Sequence, residues 1–253
     1  MALDFPGPAT GRHPLRRQEV TEQIKAFILR NHLKPGDPLP TESVLCESLG
    51  ASRSSVREAI KTLSALDIVE VRHGHGMYVG RLSLVALVES LAFRVQLSSR
   101  DDFTVLGEVI GVRQLLEQGL AASLVAALEE PHFDALAALV SEMRELADKG
   151  ETFVEQDRAF HLLLMEPLKI DLVQQLTGAF WDVHSMVAPL LAPSTADGRE
   201  TADAHAEIVA AARRRDVAAF QAAIEAHYGP VRKQLATHLR DSGNGVDGRP
   251  GGR

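Results

Sequence analysis

Residues 39–66 read LPTESVLCESLGASRSSVREAIKTLSAL, and their punctuation decides the fold of the first third of the chain. Thr41 precedes ESVLCESLG, so its hydroxyl can cap a helix that Gly50 then closes. Ser52 caps the next helix, RSSVREAIKTLSAL, whose Val56, Ala59, Ile60 and Leu63 share one inward face. Upstream, QEVTEQIKAFILRNH puts Val20, Ile24, Phe27 and Ile28 at helical spacing. The intervening LKPGDPLP, with its prolines and glycine, reads as a breaker. Downstream, DIVEVR and MYVGR alternate on either side of HGHG, the pattern of a hairpin. Three helices followed by a two-stranded wing make residues 14–80 a winged helix-turn-helix domain.

The third helix carries the chemistry. Its start, SRSSVRE, presents Ser52, Arg53, Ser54, Ser55 and Arg57 within two turns. The N-terminal part of a recognition helix faces the major groove. There an arginine can grip a guanine edge with two donors, while serine hydroxyls bond phosphates or bases. The helix terminus itself favours a phosphate. Two glycines at the wing tip allow close backbone approach to a sugar-phosphate chain. On spacing alone, a solvated Arg/Ser helix start and a protein-binding module stay open as alternatives.

The stretch 33–79 also resembles the DNA-binding domain of GntR-family bacterial transcription regulators. That family's pattern runs through LP-x-E, a serine-arginine pair, VREA and a glycine-flanked wing, and it covers nearly all of residues 20–80. The resemblance implies major-groove contacts by Arg53 and Arg57. It also implies phosphate or base contacts near Ser52, Ser54 and Ser55, with Thr41 in the same set, and wing contacts at His73 and Gly74. Two positions depart from the pattern. Ser43 stands where many members carry an arginine, so the operator sequence does not transfer, and Asp67 replaces the usual glycine before the wing.

The whole chain bounds the rest. At 253 residues it has room for two domains with sizeable cores. No run of about 18 apolar residues is present, so no membrane span is expected. The first residues lack a signal peptide's apolar stretch. One cysteine, Cys46 among apolar neighbours, excludes an internal disulfide framework. It fits an inert thiol in a reducing cytoplasm. Residues 1–80 hold ten Lys/Arg against nine Asp/Glu, leaving 17 against 25 for the remainder, within a net charge of −7. The reader is nearly neutral, so bulk charge does not argue for nucleic acid. Residues 1–13 and 241–253 read as disordered tails.

From about residue 83 the pattern becomes long amphipathic helices, making residues 81–240 an all-α bundle and the whole protein mainly α. SLVALVESLAFRVQL reads as a linker helix. Residues 101–130 follow as one long helix entered through Asp101 or Asp102, and 131–150 as another. Further helices are expected over about 151–166, 170–191, 198–214 and 216–239.

Within this part, DRAFH (157–161) sets Asp157 and His161 four apart on one helix face. That pair alone is commonly a surface hydrogen bond. His205 and His227, each on an amphipathic helix among small residues, turn it into a plausible divalent-cation site. The order of D-x-x-x-FH, then H-x-x-I-x-x-A, then a histidine 22 residues on resembles the FCD ligand-binding domain. That domain accompanies GntR readers in the FadR subfamily, and VRQLLEQGLAASLVA resembles its early helix. The resemblance covers about residues 85–238. It implies that Asp157, His161, His205 and His227 hold a divalent metal, with zinc first and nickel or manganese as alternatives. It further implies that Arg113 faces the ligand cavity, where a guanidinium fork would suit a carboxylate. The competing role for Arg113 is an ion pair with Glu117. KID at 169–171 and Gly111 depart from the family and would reshape the cavity. Phe180 and Trp181 read as core, and His184 as a packed or surface histidine that could line the cavity.

Together the two resemblances imply a cytoplasmic homodimer that binds double-stranded operator DNA and acts as a repressor. Its operator affinity would answer to a small carboxylate or sugar acid bound at the metal. A regulator that answers to the metal itself is the first alternative. A metal hydrolase is the second, and no motif supplies the general base or nucleophile it would need. A helical module with merely packed histidines is the third.

Overall fold

The computed structural model describes residues 17–98, 103–187, 198–233 and 235–236. Both predicted tails lie outside these residues, as do Asp101, Asp102 and positions 188–191 and 237–239. The chain divides into two compact units, residues 1–87 and 88–253.

The first unit runs α1 (Arg17–Arg30), β1 (Pro38–Leu39), α2 (Glu42–Leu49), α3 (Arg53–Ala65), β2 (Val69–Arg72) and β3 (Gly76–Val79). Its core joins Val20 and Ile24 of α1, Leu45 and Leu49 of α2, Val56, Ala59 and Leu63 of α3, and Val69 and Val79 of the wing. The caps follow the sequence. Thr41 accepts from Val44 N–H, Ser52 accepts from Ser55 N–H, and Gly50 closes α2 at φ 62. That angle favours glycine, because a Cβ would crowd the following carbonyl.

The breaker stretch holds a strand that its prolines concealed. β1 pairs antiparallel with β3 (Pro38 with Tyr78, Leu39 with Met77), so the sheet is three-stranded in the order β1-β3-β2. Pro38 lacks an N–H, and an edge strand tolerates that because its outer side needs no partner. The anomalous Asp67 adopts φ 53, the left-handed conformation that a glycine would supply. Its carboxylate accepts from Ser83 N–H at 3.0 Å and so fixes the chain as it leaves the wing. Beside it, Gly80 admits no side chain: a Cβ there would lie 2.1 Å from the Asp67 carbonyl oxygen.

The second unit contains α4 (Val85–Ser98, whose first turn belongs to the first unit), α5 (Thr104–Gly119), α6 (Ala121–Ala127), α7 (Glu130–Asp148) and α8 (Val154–Met165). A 3-10 turn over Glu166–Leu168 leads to α9 (Asp171–Val187), α10 (Gly198–Arg213) and α11 (Val217–His227). The single helix expected over 101–130 is two helices. It starts after Phe103, which sits at φ 54, and breaks at Leu120 directly after Gly119, a poor helix former. The break lets α6 pack on the 3-10 turn behind α8. The helix expected over 216–239 also breaks, at Tyr228 before Gly229 and Pro230, and helical backbone resumes at 229–233. Pro230 supplies the reason, having no N–H for the i−4 carbonyl. Alanines 202, 211 and 212 are buried along α10 and let α7 and α11 approach closely. Among the described residues, no helix is long and apolar enough to cross a membrane.

Candidate metal centre and DNA-reading surface

Three helices bring four donors to one point. Asp157 and His161 come from α8, His205 from α10, and His227 from the last residue of α11. One ligand atom from each lies within 4.8 Å of all the others. His161 Nε2 is 3.2 Å from His227 Nε2 and 3.4 Å from Asp157 Oδ1, and His205 Nε2 is 3.0 Å from the same oxygen. His161 and His205 are fully buried and His227 nearly so.

On two of the three rings an outer neighbour accounts for the inward turn of the other nitrogen, while His227 Nδ1 has no hydrogen-bond partner. His205 Nδ1 lies 2.8 Å from the Thr201 carbonyl oxygen, which can only accept, so Nδ1 carries the hydrogen. A neutral ring then turns its Nε2 lone pair toward a carboxylate oxygen, an arrangement of two acceptors that needs a proton or a cation between them. His161 repeats the pattern: its Nδ1 is 2.9 Å from Glu117 Oε1, off the line of a well-aligned hydrogen bond. Glu117 in turn accepts from the Tyr228 hydroxyl at 2.9 Å. Outward carbonyl and carboxylate partners are the usual supports of metal-binding imidazoles.

The spacing fits an ion. Donors at about 2.1 Å from a metal stand about 3.0 Å apart in an octahedral shell and about 3.4 Å apart in a tetrahedral one. The observed separations of 3.0, 3.2 and 3.4 Å fall in that range. With protons alone available, the electrostatics are strained. Burial opposes the charged form of His161, yet Glu117 and Asp157 outweigh it and push its pKa up to about 9. Burial, with His205 and His161 adding to it, drives His227 well below its ordinary value. Burial works against ionised Asp157, but His205 and His161 hold its pKa well below the usual carboxylate range.

A cavity of about 90 Å3 opens beside the centre, lined in part by Arg113, Asp157, Trp181, His184, His227 and Tyr228. Arg113 is buried, with its guanidinium 4.3 Å from the Trp181 ring centroid and its Nε unpartnered. It makes no ion pair with Glu117, which turns instead to His161 and Tyr228. Trp181 is packed as expected but also lines the cavity, and so does His184. A wider groove of about 430 Å3 between α7 and α10 contains none of the four donors. Glu117, Thr201 and Tyr228 are the supporting residues that sequence reading missed. Glu117 had a signal, because it shares a helix face with Arg113 one turn away.

In the reader, Arg53, Ser54 and Arg57 are exposed at the start of α3. The Ser52 hydroxyl lies 2.9 Å from that of Ser54 and 2.8 Å from that of Ser55, so these serines are mutually bonded. His73 and Gly74 form the exposed wing tip, with Gly74 at φ 77. Thr41 is engaged as a cap, its Oγ 3.4 Å from Val44 N. Cys46 is partly buried against the reader's core.

A winged DNA reader followed by a helical domain with a small cavity beside four converging donors defines a ligand-responsive transcription regulator. Residues 16–79 match the family model for bacterial regulatory proteins of the gntR family, and residues 108–229 match the FCD domain. The chain is 30% identical over 232 residues to the Uxu operon transcriptional regulator of Escherichia coli, covering 86% of each. It is 31% identical over 150 residues to the HTH-type transcriptional regulator LutR of Bacillus subtilis, covering 59% of this chain and 67% of that one. The solved structure of Streptococcus agalactiae GntR shares the fold with a TM-score of 0.59 at 23% identity, over 86% of this chain and 99% of that one. The chain belongs to the GntR family, as a DNA-binding transcription regulator with an FCD effector domain, and the family is not one of enzymes.

Proposed function

We propose that this chain is a dimeric repressor of the FadR subfamily, acting in the cytoplasm, whose operator affinity is set by a small carboxylate or sugar acid. The acid binds at a divalent ion held by Asp157, His161, His205 and His227. The reading rests on one observation above the others: four converging donors, one of them His205 braced outward by the Thr201 carbonyl, border a cavity that also contains a buried arginine. Three imidazoles and a carboxylate suit zinc, with nickel and manganese as alternatives. A bound ion supplies a Lewis-acidic point for a carboxylate. Arg113, its guanidinium carbon 4.3 Å over the Trp181 ring, offers a fork to the same group or its neighbour. On the reader, Arg53 and Arg57 address base edges, Thr41, Ser52, Ser54 and Ser55 bond phosphates or bases, and His73 with Gly74 carries the wing to the backbone. Two copies address a palindromic site, and the acid shifts the population between a binding and a non-binding arrangement.

A second reading, in which the ion is itself the signal, is favoured by the facing lone pairs of His205 and Asp157, which invite a cation whether or not an acid is present.

The test uses full-length protein and duplexes that it selects from a random library. Elemental analysis compares it with a His205→Ala, His227→Ala double variant, and equal metal content in both would remove the metal. Binding is then titrated with metal and with two- to six-carbon hydroxy and sugar acids. Release by an acid only when metal is present supports the effector reading. Release by metal alone supports the sensor, and indifference to every acid overturns the effector.

A further inference from the structure

Three of the reader's exposed arginines lie on α3 and the wing, and each is held differently. Arg53 makes no ion pair among the described residues. Arg72, on β2, is gripped along one edge by Glu70, through Nε at 3.0 Å and Nη2 at 2.9 Å, and lies 4.2 Å over the Tyr78 ring. Arg57, in the second turn of α3, donates only its Nε–H, to Glu42 Oε2 at 2.8 Å, across the turn that joins α2 to α3. Its two Nη atoms make no hydrogen bond among the described residues.

That difference matters for chemistry. A guanidinium has two edges that can give paired donors, one through Nε and one through the two Nη atoms. A carboxylate on Nε fixes the plane and points the Nη pair outward, ready for the O6 and N7 of a guanine. The carboxylate itself is out of place on a surface meant for phosphates, where an unpaired negative charge repels the ligand. Glu42 also sits in the first turn of α2, where helix polarity favours it, so its stability role must be separated from any role in reading DNA.

We infer that Glu42 is a positioning residue for DNA recognition: it holds Arg57 for a base edge and denies that cation to indiscriminate phosphate contacts. This rests on α3 being the major-groove helix. Removing the carboxylate releases Arg57 to sample many rotamers, so the specific site loses an oriented fork while random DNA gains a mobile cation.

The test uses the full-length protein, a duplex it selects from a random library, and a scrambled duplex of equal length. Glu42→Gln keeps the shape, and its thermal unfolding is followed beside the wild type. We expect about tenfold weaker binding to the selected duplex and two- to fivefold tighter binding to the scrambled one. The slope of log affinity against log salt on scrambled DNA should steepen by about 0.9, one extra phosphate contact. Glu42→Asp should recover part of the discrimination. In an Arg57→Ala background, Glu42→Gln should cause no further loss on the selected duplex. Should Arg57→Ala itself leave the selected duplex bound as before, the recognition-helix reading falls. Should Arg57→Ala weaken binding while Glu42→Gln shifts both duplexes equally, or neither, the positioning role alone is overturned.

Discussion

Replacing Glu117 by leucine would test the centre through a residue that is not one of its four donors. The carboxylate is almost fully buried, 2.9 Å from His161 Nδ1 and 2.9 Å from the Tyr228 hydroxyl. Its work is to keep the proton of His161 on Nδ1, leaving the Nε2 lone pair for a cation. Leucine removes the acceptor, so when the metal-free imidazolium gives up its second proton to admit a metal, nothing keeps the remaining proton on Nδ1 rather than Nε2. Loss of such an outer partner typically lowers metal affinity 10- to 100-fold, or about 1.4–2.8 kcal/mol. Competition against a chromogenic chelator with zinc measures it directly. Leucine also strands the Tyr228 hydroxyl, worth about 1–3 kcal/mol of folding stability, so unfolding of the metal-free variant is recorded separately. Glutamine is the control, since its carbonyl can still accept from either partner and the loss should be smaller. Metal affinity within twofold of wild type in a folded leucine variant would refute the tautomer argument.

Other outcomes follow from the same geometry. With His161 raised to about 9 from an ordinary 6.5, its proton stabilises the metal-free protein fully below pH 6.5. That contribution is lost as pH rises through 9. The metal-free melting temperature should therefore fall across pH 6.5–9. Metal uptake near pH 7.5 should release about one proton, read by calorimetry in buffers of different ionisation enthalpy; no dependence on buffer would count against it. Gly80→Ala drives a Cβ against the Asp67 backbone, which cannot swing aside as a side chain could. It should destabilise the reader by about 1–3 kcal/mol or more, and a melt within 0.5 kcal/mol of wild type, on the order of an ordinary surface change, would contradict the close approach. Arg53→Ala and Arg57→Ala should each weaken the selected duplex by about 1–3 kcal/mol and relax base preference, as read by competition with single-base variants.

The legible parts of the sequence were those whose local chemistry has one solution. Thr41, Ser52 and Gly50 mark helix ends through bonds made within three or four residues, and the structure has all three in place. The four candidate donors were legible only through their order, because His205 and His227 approach Asp157 by way of tertiary packing that no local period encodes. What escaped reading was of the same tertiary kind. β1 exists because β3 offers it a partner, against the local evidence of Pro35, Pro38 and Pro40. The break at Leu120 and the turn at Tyr228 interrupt patterns whose apolar spacing continues through them. Gly119, Gly229 and Pro230 were the signals, outweighed by periodicity. Helix spacing offered Glu117 only as a competing partner for Arg113, and the buried carboxylate takes instead the partners that burial provides, an imidazole and a phenol.

The charge of the reader acquires a meaning from its ion pairs. Residues 1–80 carry ten cations and nine anions, far from the basic surface expected of a protein that holds DNA by charge alone. Yet several of its anions are paired with cations: Glu22 meets Lys25, Glu42 meets Arg57, Glu58 meets Lys61, and Glu70 meets Arg72. Exposed pairs of this kind add little to folding stability; if α3 reads DNA as proposed, the Glu42–Arg57 pair would have its value where DNA excludes water. Paired cations are directional donors rather than a diffuse positive field. On the proposed role of α3, such a surface would give up affinity for any duplex and widen the gap between the right one and the rest, since phosphate attraction contributes to both while an oriented fork contributes to one. On that proposal, a shallow salt dependence on random DNA together with strong base preference on the selected site is expected, read by titrating both duplexes across salt.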